Sequence, residues 1–314
     1  MPKVFVFASL MPMGGAYMAY HIGRLLHLHF GYEFIDVDAK NYEKQVFNYD
    51  IPITTIGIPE MEKTITKDDL LIVNPSYSHV FFGLRLPGRK IMYIQDHKTF
   101  KILDCHFDLY VSVSSLVSRY VQAIYDIVTP VIPAFIELDH MPKVKPWHER
   151  PPGTALVYQK HPNTEHNIVL EYLTRMLKKT GSQIDLSHVV KGREMNHPDF
   201  LQALGSVRYL VNLSISEGFG LVPLEAMALG TMVTGLDSLG SVDYMRHEEN
   251  CLVNSMKNLR TLPDVVRRAF TDEELAARCA KNGEVTAADY GYEPFRAAWL
   301  TQLSTLLNTE PRNV

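Results

Sequence analysis

The sequence predicts an α/β protein made of two successive Rossmann-like halves. Three observations lead there. Apolar runs of strand length alternate with helical stretches, the alternation halts at a proline-dense segment and restarts after it, and a glycine-rich turn carrying two acids follows a strand of the second half. Strands covered by helices on both faces read as continuous apolar runs, which is the pattern here.

In the first half Lys3–Leu10 is such a run. A Gly14-Gly15 turn follows, then a helix from Ala16 to about His29 with Ile22, Leu25, Leu26 and Leu28 at near-helical spacing. Further strands are predicted at Tyr32–Val37, Leu70–Val73, Lys90–Ile94 and Leu109–Val113. Ser114 or Ser115 caps a helix over Leu116–Tyr125. Pro130 and Pro133 keep Val128–Ile136 extended.

Pro142, Pro146, Pro151 and Pro152 lie among Lys143, Lys145, His148 and Arg150, a stretch that reads as an interdomain linker, with a basic membrane-facing patch as the alternative. The expected organisation is therefore a first domain over 1–139, a linker over 140–152, a second domain over 153–290, and a closing segment, 291–314, that packs back toward the first domain.

In the second half Thr154–Tyr158 is a strand, and Asn163 or Thr164 caps a helix with Ile168, Val169, Tyr172, Leu173, Met176 and Leu177 on one face. Val207–Leu213 and Thr231–Gly235 read as strands around a helix over Val222–Leu229. Helices at Asp264–Phe270, Glu273–Cys279 and Pro294–Leu307 complete the chain.

Composition narrows the function. A formal net charge of −4 lacks the basic excess of a dedicated nucleic-acid binder. The three cysteines are far apart and without a C-x-x-C pair, which fits small core thiols in a reducing, cytoplasmic setting. No run of about 20 apolar residues predicts a membrane span. The 13 histidines include neither H-E-x-x-H nor a ligand cluster, so no metal is expected.

The chemistry concentrates in Ser216–Gly230. Pro223 fits the first position of a helix and Gly230 its stop. The unbonded N–H groups of a helix start attract phosphate, and Gly218 and Gly220 let backbone come close to a ligand. Glu217 and Glu225 bracket that turn, and a carboxylate is a bidentate acceptor for vicinal diols. A phosphate site between two hydroxyl-binding acids suits a sugar nucleotide.

Glu217 and Glu225, with Gly-Phe-Gly between them, resemble the glutamate–seven–glutamate motif of retaining GT-B glycosyltransferases, specifically glycosyltransferase family 4 (group 1). Glu225–Val233, Gly240–Asp243 and Glu249–Val253 extend the likeness, which is dense over Val207–Val253 and looser elsewhere. The resemblance implies a GT-B fold, two Rossmann-like domains facing each other across a cleft. It gives Glu217 the donor sugar's hydroxyls and Glu225 the nucleotide ribose. It assigns backbone N–H groups around Phe219, Gly220 and Leu221 to sugar and diphosphate, and Gly14-Gly15 to the loop that closes over the phosphate. It implies no cofactor or metal beyond the nucleotide-sugar co-substrate; Asp36-Val-Asp38 is read as a strand end. In an Arg-x4-Lys arrangement of the family, Lys160 falls near the arginine and Glu165 where the lysine would be; His166, Lys191 and Arg193 are candidate replacements. Ile91–His97 resembles the Tyr-x-x-Gln-Asp segment of some polysaccharide rhamnosyltransferases, which makes Asp96 and His97 candidates for contact with acceptor or donor sugar.

The expected activity is hexosyl or deoxyhexosyl transfer from a nucleotide-diphosphate sugar to a glycan, glycolipid, lipid-linked saccharide or polysaccharide, with retention and by front-face attack. Peripheral contact with the inner membrane face and further subunits stay open. A sugar-nucleotide 2-epimerase or a non-catalytic sugar-nucleotide-binding subunit are the alternatives. A glycosidase has no need of a phosphate-binding helix start, and no G-x-G-x-x-G follows the first strand, which argues against a dehydrogenase.

Overall fold

Six short segments of the first half pair into one parallel sheet, ordered β3-β2-β1-β4-β5-β6. The strands are β1 (Lys3–Val6), β2 (Glu33–Val37), β3 (Thr54–Ile56), β4 (Leu70–Val73), β5 (Arg89–Ile94) and β6 (Leu109–Ser112). Between and after them come α1 (Gly14–Phe30), α2 (Ile58–Thr64), α3 (Phe82–Arg85) and α4 (Ser115–Tyr125). The structure, a computed structural model, describes residues 1–7, 14–37, 49–159, 164–191 and 195–312, with residues 164–166 described by backbone alone.

The second half builds its own parallel sheet, ordered β11-β10-β9-β7-β8. Its strands are β7 (Ala155–Gln159), β8 (Val189–Lys191), β9 (Tyr209–Asn212), β10 (Met232–Leu236) and β11 (Leu252–Asn254). Its helices are α5 (Thr164–Lys179), α6 (His197–Ser206), α7 (Leu221–Ala228), α8 (Leu262–Thr271) and α9 (Glu273–Ala288); the last helix is α10 (Tyr292–Leu307). The two compact units are residues 1–135 with 293–314, and residues 136–292.

Both strand orders are doubly wound, so each sheet has a point where the winding reverses, and ligands of such sheets bind at the carboxyl ends beside it. In the first unit that point lies between β1 and β4, and in the second between β7 and β9.

The first unit is closed by α10. Trp299 and Leu303 are fully buried, Trp299 meets Tyr93 edge-on with ring centres 5.3 Å apart, and Phe295 lies 5.0 Å from Phe135. Tyr93 Oη donates to the Ile132 carbonyl at 2.8 Å, tying the extended 128–136 segment to β5.

In the second unit the proline-dense stretch is anchored by two side chains. Trp147 is buried and its Nε1 donates to the Arg208 carbonyl at 2.9 Å. Arg150 is buried as well, and its guanidinium donates to the carbonyls of Lys145 (2.8 Å), Val207 (2.8 Å) and Leu229 and to Thr231 Oγ1 (2.7 Å). Carbonyl acceptors thus replace water around a buried cation, which costs a great deal when left bare.

Several expectations shift in detail. Gly14 and Gly15 form the first turn of α1 rather than a separate turn before it. On α5 the buried residues are Val169, Leu173 and Leu177, spaced by four, and Ile168 is 57% exposed, so the apolar face is narrower than its sequence pattern. Cys251 and Cys279 are buried, but Cys105 is exposed and so is no core thiol. Among the described residues no helix is long and apolar enough to cross a membrane.

Candidate functional site

The glycine-rich segment runs from the carboxyl end of β9 into α7, beside the winding reversal of the second sheet. Asn212, the last residue of β9, is fully buried and donates from Nδ2 to the Leu236 carbonyl (3.0 Å) and Ser238 Oγ (2.7 Å). Ser238 Oγ in turn donates to the Ser214 carbonyl at 2.8 Å. This buried chain of polar bonds joins the loop after β9 to the loop after β10. A fully satisfied network of this kind fixes geometry because every alternative leaves a buried group unpaired.

Glu217 sits on that junction. Its N–H donates to the Ser238 carbonyl at 3.0 Å, and it forms an isolated parallel bridge with Leu239. Ser238 (φ 53°) and Leu239 (φ 61°, ψ −58°) are both left-handed, and Gly240 N–H bonds back to the Ser238 carbonyl at 2.7 Å. That is a γ-turn of the strained hand, centred on a leucine. Gly240 passes so close to the opposite loop that a β-carbon would lie 2.3 Å from the Glu217 carbonyl oxygen.

Gly220 makes the turn into α7 at φ 87° and ψ 85°, a backbone that suits glycine. Ser241 Oγ donates to the Phe219 carbonyl at 2.9 Å and Tyr244 Oη to the Gly220 carbonyl. Phe219 is buried between Tyr244 and Tyr290, with ring centres 5.4 and 5.7 Å away. Burial pushes the Tyr244 phenol well above its ordinary range, so it stays a donor to the turn. Leu221 and Val222 open the helix, and Pro223 stands third, still inside the first turn where an N–H has no partner in the helix. Gly230 ends α7 at φ 65°: its N–H bonds to the Met227 carbonyl and Thr231 N–H to that of Ala226, the paired closure of a Schellman motif. Two positions therefore move by a step: Pro223 is not the first helical residue, and Glu225 lies in the second turn rather than the first.

Glu225 is 7% exposed and its Oε1 lies 2.7 Å from His197 Nε2. His197 opens α6, where Asn196 Oδ1 caps the Asp199 N–H at 2.9 Å and Pro198 occupies the first turn. Near Glu217, the hydroxyls of Ser214 and Ser216 are buried and hold no hydrogen bond among the described residues.

In the first unit the candidates gather at the carboxyl ends of β1 and β5. Gln95 Nε2 donates to the Gly15 carbonyl at 2.9 Å. Asp96 Oδ1 accepts the Lys98 N–H at 2.7 Å and lies 3.8 Å from His97 Nδ1. The His97 ring is mostly buried, 5.6 Å from that of Tyr120.

The structure thus brings Glu217, Gly218, Phe219, Gly220, Leu221 and Glu225 into one continuous turn of the second unit, and Gly14, Gly15, Asp96 and His97 to one end of the first sheet. Lys160 and Arg193 lie outside the described residues, as do Asn163 and Asp38, and so do the side chains of Glu165 and His166. Lys191 is exposed at the end of β8. Among the described residues no group of three or more His, Cys, Asp or Glu is placed to hold a metal.

Sequence reasoning missed His197, Ser238, Ser241 and Tyr244. The cap Asn196 with Pro198 just inside a helix start was the readable sign for α6. The other three act through contacts across the sheet, which no local pattern reports.

Residues 171–286 match the sequence profile of the family described as Glycosyl transferases group 1. No curated protein matches the chain. Solved structures share its fold from end to end. A sucrose-phosphate synthase from Thermosynechococcus elongatus is 15% identical, with a TM-score of 0.70 over 98% of this chain and 99% of that one. HepE of Anabaena, in complex with UDP-glucose, is 13% identical, with a TM-score of 0.73 over 97% and 100%. A glycosyltransferase from Rickettsia africae is 12% identical, with a TM-score of 0.69 over 98% and 99%. The chain thus has the GT-B fold of these structures, and residues 171–286 of its second unit are similar to the group 1 glycosyl transferases.

Proposed function

We propose that the chain transfers a sugar from a nucleotide-diphosphate sugar, with its anomeric configuration retained, to a glycan, glycolipid or polysaccharide acceptor. The observation that carries the reading is the turn at the carboxyl end of β9. One continuous piece of backbone there bends at Gly220 into the start of α7, with Glu217 before the bend and the buried Glu225 after it. HepE, which shares the fold at 13% identity, forms complexes with UDP and with UDP-glucose, which supports a nucleotide sugar as co-substrate.

In this reading Glu217 holds hydroxyls of the transferred sugar and Glu225 those of the ribose. The N–H groups at Phe219, Gly220 and Leu221, with Lys160, take up the negative charge that grows on the departing diphosphate. Fixed dipoles aimed at developing charge stabilise a transition state more than a ground state. The acceptor hydroxyl attacks the anomeric carbon on the face from which the diphosphate leaves. The carbon–oxygen bond to phosphate breaks, and the hydroxyl proton passes to the departing phosphate oxygen. Gly14 and Gly15 take a phosphate contact, and Asp96 and His97 bind hydroxyls of the acceptor or of the donor sugar. The reaction runs without a metal, in the cytoplasm, beside the membrane where the acceptor is lipid-linked.

A thermal-shift panel of UDP-, GDP- and dTDP-sugars tests the donor class, and the anomeric proton of the product, followed by NMR, tests retention. A rise in melting temperature with one nucleotide family, and a product of unchanged configuration, are expected. Release of sugar from a simple glycoside with no nucleotide present would overturn the proposal.

A further inference from the structure

We propose that His197 is a positioning residue of the donor site: as a cation it clamps Glu225 and offsets its charge, so that nucleotide binding requires the protonated imidazole. The inference rests on the reading of Glu225 as the ribose acid.

Glu225 is a carboxylate with almost no access to water, in the second turn of α7. Such a group stays ionised only beside a partner that replaces its hydration. His197 Nε2, 2.7 Å from Oε1, is that partner, and a hydrogen bond between two charged groups is the strong kind. The helix start that carries His197 is capped: Asn196 accepts the Asp199 N–H at 2.9 Å and donates from Nδ2 to Asp199 Oδ2 at 2.8 Å. The bond from His197 orients the Glu225 carboxylate.

Charge decides why protonation matters. A diphosphate brought to the start of α7 meets Glu225 one turn further on, and a bare carboxylate there repels it. Paired with an imidazolium, the acid presents no net charge while its second oxygen keeps its acceptor capacity. Burial works against the cation, but the hydrogen bond to Glu225, its charge, and that of Glu137 together lift the His197 pKa above the ordinary imidazole value. Among the described residues, Glu225 on α7 and Glu137 ahead of β7 are charged groups that act on the ring from neighbouring elements; Asp199 lies on its own helix. A raised pKa moves loss of the proton to higher pH than in a free imidazole, so binding weakens as pH rises.

Calorimetric titration with UDP, GDP and dTDP between about pH 6 and about pH 9 tests this on the intact protein, using wild type, His197→Gln and Glu137→Gln, each checked by its melting curve. Wild type is expected to lose roughly tenfold in affinity across the range, the scale of one charged hydrogen bond. His197→Gln keeps a donor to Glu225 but cannot titrate. It should bind more weakly at low pH and show only the slope of the nucleotide's own phosphate ionisation. Glu137→Gln, outside the binding machinery, should move the wild-type midpoint to lower pH. Superimposable profiles for wild type and His197→Gln would overturn the role of His197 alone. Wild type that binds none of the three nucleotides at any pH would overturn the donor-site reading and this inference with it.

Discussion

Gln95 and Gly15 are locked together in the first unit: the side-chain amide donates to the Gly15 carbonyl at 2.9 Å, and a β-carbon on Gly15 would stand 2.2 Å from Gln95 Oε1. The end of β5 and the first turn of α1 therefore move as one piece. Gly15→Ala must displace the amide and is expected to destabilise the protein by about 1 kcal/mol, the scale of one internal hydrogen bond. Gln95→Ala should make most of that cost disappear in the double variant, since contacting residues do not add. Urea unfolding of the two single variants and the double one closes the cycle.

Glu217 and Glu225 should separate in kinetics. Glu225→Ala is expected to raise KM for the nucleotide sugar, and to lower stability by about 1 kcal/mol because it removes the partner of the half-buried His197 imidazole. Glu217→Ala is expected to lower kcat by more than it changes KM or melting temperature. Steady-state kinetics with parallel melting curves decides. Equal effects of the two substitutions on both constants would contradict the division of roles.

Strain at Leu239 offers a third test. A γ-turn of that hand costs a leucine about 1–3 kcal/mol, which glycine avoids at an entropic cost of about 0.5–1 kcal/mol. Leu239→Gly is therefore expected to be neutral to stabilising in thermal unfolding. Turnover should fall, because the loop opposite Glu217 is then free to relax. Gly240→Ala acts the other way, driving a methyl into the Glu217 carbonyl, and both melting temperature and turnover should drop.

Acid stability is set in the first unit by His21 and Asp50. His21 lies among Tyr17, Tyr20 and Phe135, with ring centres 4.4, 5.1 and 4.8 Å away, and burial lowers its pKa from 6.5 to about 3. The unfolded chain takes up this proton first, so stability falls as pH drops from 6.5 toward about 3, by about 1.4 kcal/mol per pH unit at most. Asp50 is held down from 3.8 to about 2 by the Arg24 guanidinium and the Tyr20 hydroxyl, so its contribution is lost below 3.8. Urea midpoints measured from pH 7 down should decline in that order, and His21→Leu should flatten the upper part of the curve.

Much of the fold is written locally. Leu70–Val73 coincides with β4, and Ser114 caps α4 by accepting the Val117 N–H at 3.3 Å, as its place before an apolar stretch implies. The misses have two causes, a short exposed edge and helix starts built on glycine or proline. β3 is an exposed edge strand of three residues, α2 opens on Gly57 and Pro59, and α6 carries Pro198, so glycine and proline that start helices look like breakers when read alone. In the candidate site, the acids and glycines of the β9–α7 turn were legible because phosphate and diol recognition demand those residue types in sequence. His197 was not, because its meaning comes from Glu225, 28 positions away in the chain and 2.7 Å away in space.

The return of α10 to the first unit imposes an order on synthesis. A ribosome delivers strands β1 to β6, then the whole second unit, before the helix that brings Trp299, Phe295 and Leu303. Until those residues emerge, Tyr93 and Phe135 lack their covering side chains, so the core of the first unit cannot close before the second unit has left the ribosome.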